Sequence, residues 1–293
     1  MTNPVADPIR NVSDTALWAA AFRAEETKRP DALFRDPFAE RLAGERGPRI
    51  VGAMPMRDRN AWAWVMRTYL IDEYIAQQVS GGVDLVVNLA AGLDTRPYRM
   101  ALPRRLRWVE VDLPALLDYK ESVLAGETPH CEVERVRMDL AELRPRRALF
   151  DRLGIESSKA LVITEGLLIY FTEREAASLA EDLSRPRGFR LWVTDLVSPG
   201  LMTRMRKRGG EQLERAGAPF QFAPAKGPDF FVPYGWRPIV VRSSFRTAAK
   251  LGRLPWTLRL LALLPDPKGL PGKRPWAGVC LLEKSDLRHT ATS

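Results

Sequence analysis

The chain has 293 residues, 45% of them hydrophobic and 28% charged, the composition of a globular protein with one sizeable core. No stretch reaches the ~18 apolar residues of a membrane span, and the two cysteines, Cys131 and Cys280, lack CxxC spacing; a spanning helix, a disulfide framework and a zinc site all fall outside expectation. The excess of 45 Lys and Arg over 36 Asp and Glu, a charge of +9, favours anionic partners, but the basic clusters at 144–147 and 204–208 lack the aromatic interleaving and motifs of nucleic-acid binders.

The N-terminal stretch has no apolar run behind a basic patch, so no signal peptide is expected, and reduced thiols fit a cytoplasmic location. Helices come first. Ser13 or Asp14 is positioned to cap a segment that sets Leu17, Ala20, Ala21 and Ala24 on one face. In RDPFAERLAG, Asp36 reads as an N-cap, Pro37 as the first helical residue and Gly44 as the stop. A longer helix is predicted over 60–79, ended by Gly81-Gly82. The pattern then changes to short apolar runs, predicted as strands at 84–90, 106–112 and 133–139, a fourth within 160–171 and a fifth at 191–196. A capping box, Thr172 to Glu175, opens a helix that fades before Pro186. Late strands at 239–245 and 277–283 complete the set.

Strands alternating with helices predict an α/β fold, a Rossmann-like and mainly parallel sheet with N-terminal helices and a C-terminal lid insertion. Within one domain this divides the chain into an N-terminal helical cap (1–82), a ligand-binding core (83–197), a lid and acceptor region with a late strand (198–275) and a last strand with its tail (276–293). The Arg-, Pro- and Gly-rich segments 198–236 and 253–271 break the alternation and read as lid elements; 254–265 reads as a short buried or lid helix, with a membrane-surface contact as the lesser reading.

The chemistry-bearing residues gather at predicted strand tips. In VVNLAAGLDTRPYR, small residues Ala90 to Gly92 follow a strand, where the backbone can approach a ligand closely. Asp112 ends the next strand, twenty residues beyond Gly92, the spacing at which an acid meets ribose hydroxyls in Rossmann-like sites; capping the helix at Pro114 is its plainer role. Glu110 faces the same way but deeper. Asp139 ends the third strand, with Leu140 beside it to cover a ring. Glu165 interrupts the apolar run LVITEGLLIY, and a carboxylate there needs a partner: a cationic ligand group or an internal arginine. These tips share one edge of a parallel sheet, where open α/β sheets bind ligands.

The segments SDTALWAAAFRAEETKRPDALFRDPFAERL, MRTYLID, NLAAGLDTRPYR, VEVDLP, MDL and EGLLIYF, in that order, resemble the bacterial S-adenosylmethionine-dependent methyltransferases related to leucine carboxyl methyltransferase, the group that includes the tetracenomycin polyketide O-methyltransferase. The resemblance covers residues 12–171 well and the last third loosely, through Tyr234-Gly235-Trp236 and the final strand. It implies S-adenosyl-L-methionine as cofactor. Arg67 would then hold its carboxylate, Ala90 to Gly92 its methionine part, Asp112 its ribose and Asp139 with Leu140 its adenine, with Glu165 near the amino-acid end; Arg23 adds a second positive contact. The family's turn is Gly-Ala-Gly, whereas this chain has Ala90, whose methyl fits there at negative φ.

Methyl transfer needs alignment and exclusion of water more than proton chemistry. A carboxylate acceptor needs no base, and neither His130 nor His289 is placed to be one, so the expected acceptor is a small molecule with a carboxylate or acidic hydroxyl, held by lid arginines, a class that includes polyketide-type metabolites. Tyr170 and Tyr234 are candidate acceptor contacts, with packing the equal reading for either. The alternatives are a non-catalytic S-adenosylmethionine- or nucleotide-binding protein and a methyltransferase acting on a protein carboxylate; an NAD-dependent oxidoreductase would show a fuller G-x-G-x-x-G. No metal is expected.

Overall fold

The computed structural model describes residues 13–53, 57–260, 272 and 274–285. The N-terminal cap consists of α1 (Asp14–Thr27), α2 (Ala39–Ala43), α3 (Arg46–Gly52) and the 24-residue α4 (Arg57–Ser80). Two cap details differ from the sequence reading. Ser13 precedes α1 but makes no side-chain cap bond, and Asp14 instead pairs with Arg46 at 2.7 Å. The second helix begins at Ala39, two residues after Pro37; Asp36 accepts from the Phe38 N–H at 3.2 Å in the turn before it, and its other oxygen is held by Arg23 at 2.7 Å.

From residue 85 the chain alternates: β1 (Leu85–Leu89), α5 (Arg96–Arg99), β2 (Arg107–Asp112), α6 (Pro114–Val123), β3 (Glu132–Arg137), α7 (Leu143–Ile155), β4 (Ala160–Thr164), α8 (Glu173–Ser184) and β5 (Phe189–Val197). The Thr172 hydroxyl accepts from the Glu175 N–H at 3.2 Å and the Glu175 carboxylate accepts from the Thr172 N–H at 2.7 Å, so the capping box is formed. The rest comprises α9 (Pro199–Arg215), β6 (Trp236–Ser243), α10 (Ser244–Lys250), the short α11 (Trp256–Arg259) and β7 (Ala277–Lys284). The predicted lid helix at 254–265 is described only as far as residue 260.

The seven strands form one sheet in the order β3-β2-β1-β4-β5-β7-β6. β1 to β5 run parallel, and β7 is antiparallel to both its neighbours. β1 and β4 are buried along their whole length because alternate side chains enter two different cores. Val87, Val109, Val162 and Trp192 pack with α7 and α8, whereas Val86, Trp108, Ile163 and Val193 pack with Leu70, Ile71 and Ile75 of α4. Two of the largest buried rings have partners for their polar edge, the Trp192 indole N–H donating to Thr164 Oγ1 and that of Trp236 to the Ala180 carbonyl, each at 2.9 Å, whereas the buried Trp108 N–H has none among the described residues. A third cluster joins α1, α2 and α3 to Met202 and Leu213 of α9, so cap and lid meet above one edge of the sheet. Among the described residues no helix is long and apolar enough to cross a membrane.

Candidate active site

The residues assigned above to the cofactor, from Arg67 to Glu165, all line one cleft of about 2540 Å³ at the carboxyl ends of the parallel strands. Arg23 and Tyr170 line it too, whereas Tyr234 does not; its ring packs on Phe230, with centroids 5.5 Å apart. His130 lies elsewhere, its Nδ1 donating to the Met100 carbonyl at 2.6 Å.

The turn after β1 carries the first part of the site. Ala90 has φ +53° and Gly92 φ +52°. The condition under which the Ala90 methyl would fit, a negative φ, is therefore not met: this alanine stands in left-handed backbone, where a Cβ costs about 1–2 kcal/mol. The surrounding bonds hold it there. The Ala91 N–H donates to the Val111 carbonyl at 3.1 Å, and the Gly92 N–H donates to Asp112 Oδ2 at 2.6 Å. Asp112 Oδ1 accepts from the Leu113 N–H at 2.7 Å. Asp112 thus ties the strand tip to the turn and caps no helix. A carboxylate has about four acceptor sites, so two backbone bonds leave capacity for ligand hydroxyls. Burial raises its carboxyl above the ordinary value. Asp139 lies two residues past β3, exposed, with Oδ1 accepting from the Ala141 N–H at 2.9 Å, and the buried Leu140 follows it. Glu110 is fully buried and paired with Lys120 at 2.7 Å and Arg135 at 2.9 Å, away from the cleft.

The second part is a buried charge network that the sequence reading found only at Arg67 and Glu165. Glu165 accepts from Arg67 Nε at 3.0 Å and from Arg96 Nη1 at 2.8 Å, so internal arginines satisfy it. Arg96, 2% exposed, also bonds Asp72 at 2.6 Å and Asp94 at 2.8 Å, and Arg99 bonds Asp72 through both of its Nη atoms. Asp195 Oδ2 lies 3.5 Å from Arg67 Nη1. Burial opposes the charge on Glu165 and Asp94, but the neighbouring guanidiniums outweigh it and hold both carboxyls below the usual range. Burial prevails at Asp195, whose carboxyl is raised. Three guanidiniums thus face four carboxylates, one negative charge in excess. Arg67 also lies over the Trp64 ring, 4.7 Å from its centroid, and a side chain on Gly166 (φ +64°) would come within 3.0 Å of that guanidinium. Asp195 carried the same signal in the sequence as Glu165, an acid inside the apolar run LWVTDL; Asp94 and Arg96 lay in the quoted turn motif without a role.

These residues suit S-adenosyl-L-methionine. Asp112 offers open acceptor sites to a ribose, Leu140 an apolar surface, and the excess negative charge near Glu165 a place for a cationic group; Arg67 has donors left for a carboxylate. The lid side of the cleft has the opposite character. Between residues 197 and 278 its lining contains Arg204, Arg208, Arg242, Arg246, Lys250 and Arg274 against a single acid, Asp229.

Strand order and strand-tip site together define a Rossmann-like methyltransferase fold. Two solved structures share it: a DUF574 family protein of Streptomyces avermitilis (TM-score 0.57, 12% identity, covering 91% of this chain and 97% of that one) and a predicted methyltransferase of Thermobifida fusca (TM-score 0.55, 14% identity, 96% and 97%). Residues 16–184 match the leucine carboxyl methyltransferase family, and the chain belongs to it. It is 39% identical over 173 residues to a predicted S-adenosyl-L-methionine-dependent methyltransferase of Streptomyces coelicolor, 54% of this chain and 59% of that protein. A Streptomyces avermitilis relative of the same description is 35% identical over 218 residues, 68% of this chain and 76% of its own length.

Proposed function

We propose that the chain is an S-adenosylmethionine-dependent O-methyltransferase whose acceptor is an anionic small molecule, of the polyketide type among others, methylated on a carboxylate or acidic hydroxyl. The observation that carries this reading is the division of one cleft into an acid-bearing half at the strand tips and a basic half built on α9, β6 and α10. When bound, the cofactor supplies a methyl group on a positively charged sulfur. Asp112 would hold its ribose, Ala90 to Gly92 would lie along its methionine part, Arg67 would meet its carboxylate, Glu165 would lie near its amino-acid end, and Asp139 with Leu140 would frame its adenine. The cap and lid exclude water and hold the acceptor in line, and Arg204 and Arg208 attract its negative charge.

The test is transfer of isotopically labelled methyl from the cofactor to carboxylated and phenolic small molecules by the purified chain. Calorimetry with the cofactor and its demethylated product accompanies it. Binding without transfer to any acceptor would favour a non-catalytic binding protein, and transfer to a peptide carboxyl terminus alone would favour a protein substrate.

A further inference from the structure

The turn after β1 is held by β2 on one side and by α1 on the other. It closes on itself, the Asp94 N–H donating to the Ala91 carbonyl at 3.0 Å, and Leu93 within it is buried. The Leu93 carbonyl finds no helical donor further along the chain, because the residue four positions on is Pro97, which has no N–H. Arg23 of α1 takes that place: its Nη2 donates to the Leu93 carbonyl at 2.6 Å, the sole donor there among the described residues. Its Nε donates to Asp36 Oδ2 at 2.7 Å, and the Asp36 side chain is fully buried. A ring of bonds fixes this pair. The Asp36 N–H donates to Thr27 Oγ1 at 2.8 Å, and the Thr27 hydroxyl donates to the Arg23 carbonyl at 2.8 Å. The same helix closes on the turn at Gly92, where a side chain would come within 3.4 Å of the Ala16 methyl.

We propose that Arg23 is a positioning residue for the cofactor: anchored by Asp36, it holds the Leu93 carbonyl and so keeps Ala90 in left-handed backbone and Gly92 on Asp112. The proposal rests on the methyltransferase reading above, and it gives Arg23 a role other than a second contact to the cofactor carboxylate. Two of the three guanidinium nitrogens are already engaged with Asp36 and Leu93. Without Arg23 a buried carbonyl loses its charge-assisted donor, which favours a turn reopened to solvent. The left-handed alanine adds to that tendency, since relaxation to negative φ relieves it. Such a shift moves Gly92 and the Asp112 carboxylate bonded to it, and with them both the methionine wall and the ribose site. Both members of the pair belong to the cap, and their target in the sheet half is backbone.

Calorimetric titration with S-adenosylhomocysteine and with 5′-methylthioadenosine, which lacks the amino-acid end, tests this. Arg23→Met should weaken both ligands about ten-fold or more, the usual size for a lost charge-assisted bond, and by factors within about three-fold of each other. Ala90→Gly should then restore S-adenosylhomocysteine affinity at least about three-fold in the Arg23→Met background. That gain should exceed the one it gives in wild type, because glycine keeps the left-handed turn without strain. A loss confined to S-adenosylhomocysteine would make Arg23 a carboxylate ligand, unchanged affinity would show that the turn holds without it, and no recovery with Ala90→Gly would place its action elsewhere; each overturns the proposal. Arg46→Ala removes a second tether of α1, the bond to Asp14 at 2.7 Å, and should leave both affinities within about three-fold of wild type. A loss there equal to that of Arg23→Met would reduce the effect to a loosened helix and overturn the proposal too. If Arg23→Met does not fold, Arg23→Lys keeps a charge beside Asp36 but cannot fork to Leu93, and the same results decide. Failure of the wild-type chain to bind S-adenosylhomocysteine is a distinct outcome, which overturns the methyltransferase reading itself.

Discussion

The sheet half and the lid half of the cleft treat charge in opposite ways. At the strand tips Arg67, Arg96 and Arg99 are all paired with carboxylates, and Arg96 alone joins Asp72 on α4, Asp94 in the turn after β1 and Glu165 after β4. Side chains tied in this way are preorganised before a ligand arrives. On the lid, Arg204 and Arg208 stand exposed one helical turn apart on α9, where water already solvates them. The first half is built for geometry. The second gives attraction and selection, and its individual charges carry little energy.

The most severe way to break the first half is Arg96→Met. It takes one guanidinium from three carboxylates, leaving Glu165 with Arg67, Asp72 with Arg99 and Asp94 with no guanidinium bond, and should cost about 3–5 kcal/mol, as buried pairs do when one partner is lost. Urea unfolding measures it, and a loss below about 1 kcal/mol would mean the network does not hold the fold. The same network sets an acid limit. Because Glu165 and Asp94 are held below their ordinary values, their stabilisation is complete above roughly pH 4–5 and lost as pH falls through the lowered folded values. Thermal melts of wild type and Arg96→Met should therefore draw together as pH falls below about 4.

Asp112→Ala comes next, with cofactor affinity expected to fall by about 1–3 kcal/mol; unchanged calorimetric affinity in a folded variant would remove Asp112 from the site. Smaller again is the paired Arg204→Ala, Arg208→Ala change. With each exposed charge worth at most about 1 kcal/mol, acceptor KM should rise roughly three- to ten-fold at low salt, less at high salt, and S-adenosylhomocysteine affinity should not move. A cofactor effect of equal size would erase the distinction between the halves. The smallest effect belongs to Ala90→Gly. Relief of left-handed strain is offset by a more flexible unfolded chain, for a net gain of at most about 1 kcal/mol in a melting experiment.

Much of the sheet half was legible in the chain because its signals are local. Short apolar runs mark β1 to β5, acids mark their tips, and Thr172 with Glu175 spells a helix start. The partner of Glu165 was not legible: Arg67 is 98 residues away in sequence, and only the packing of α4 against the sheet brings them together. The Ala90 backbone was not legible for a related reason. Its φ is imposed by bonds from neighbouring Ala91 and Gly92 to β2, so tertiary structure overrides the preference of alanine for negative φ. Tyr234 read equally as an acceptor contact or a packing residue, and packing against Phe230 is where its ring went. The lid was legible only as a break in alternation, since α9, rich in arginine, offers few apolar positions from which to read helical period.

The helix α4 covers one face of the sheet through Leu70, Ile71 and Ile75, and from the same rod supplies Arg67 to the cleft and Asp72 to Arg96. The N-terminal region is therefore not a module that can be exchanged between relatives to graft a new specificity. A chimera joined at residue 83 would inherit a sheet with an uncovered apolar face and an arginine cluster missing one of its counter-charges. Transplants that respect the wiring of this molecule would leave α4 with the sheet and be confined to the segments before it and to α9.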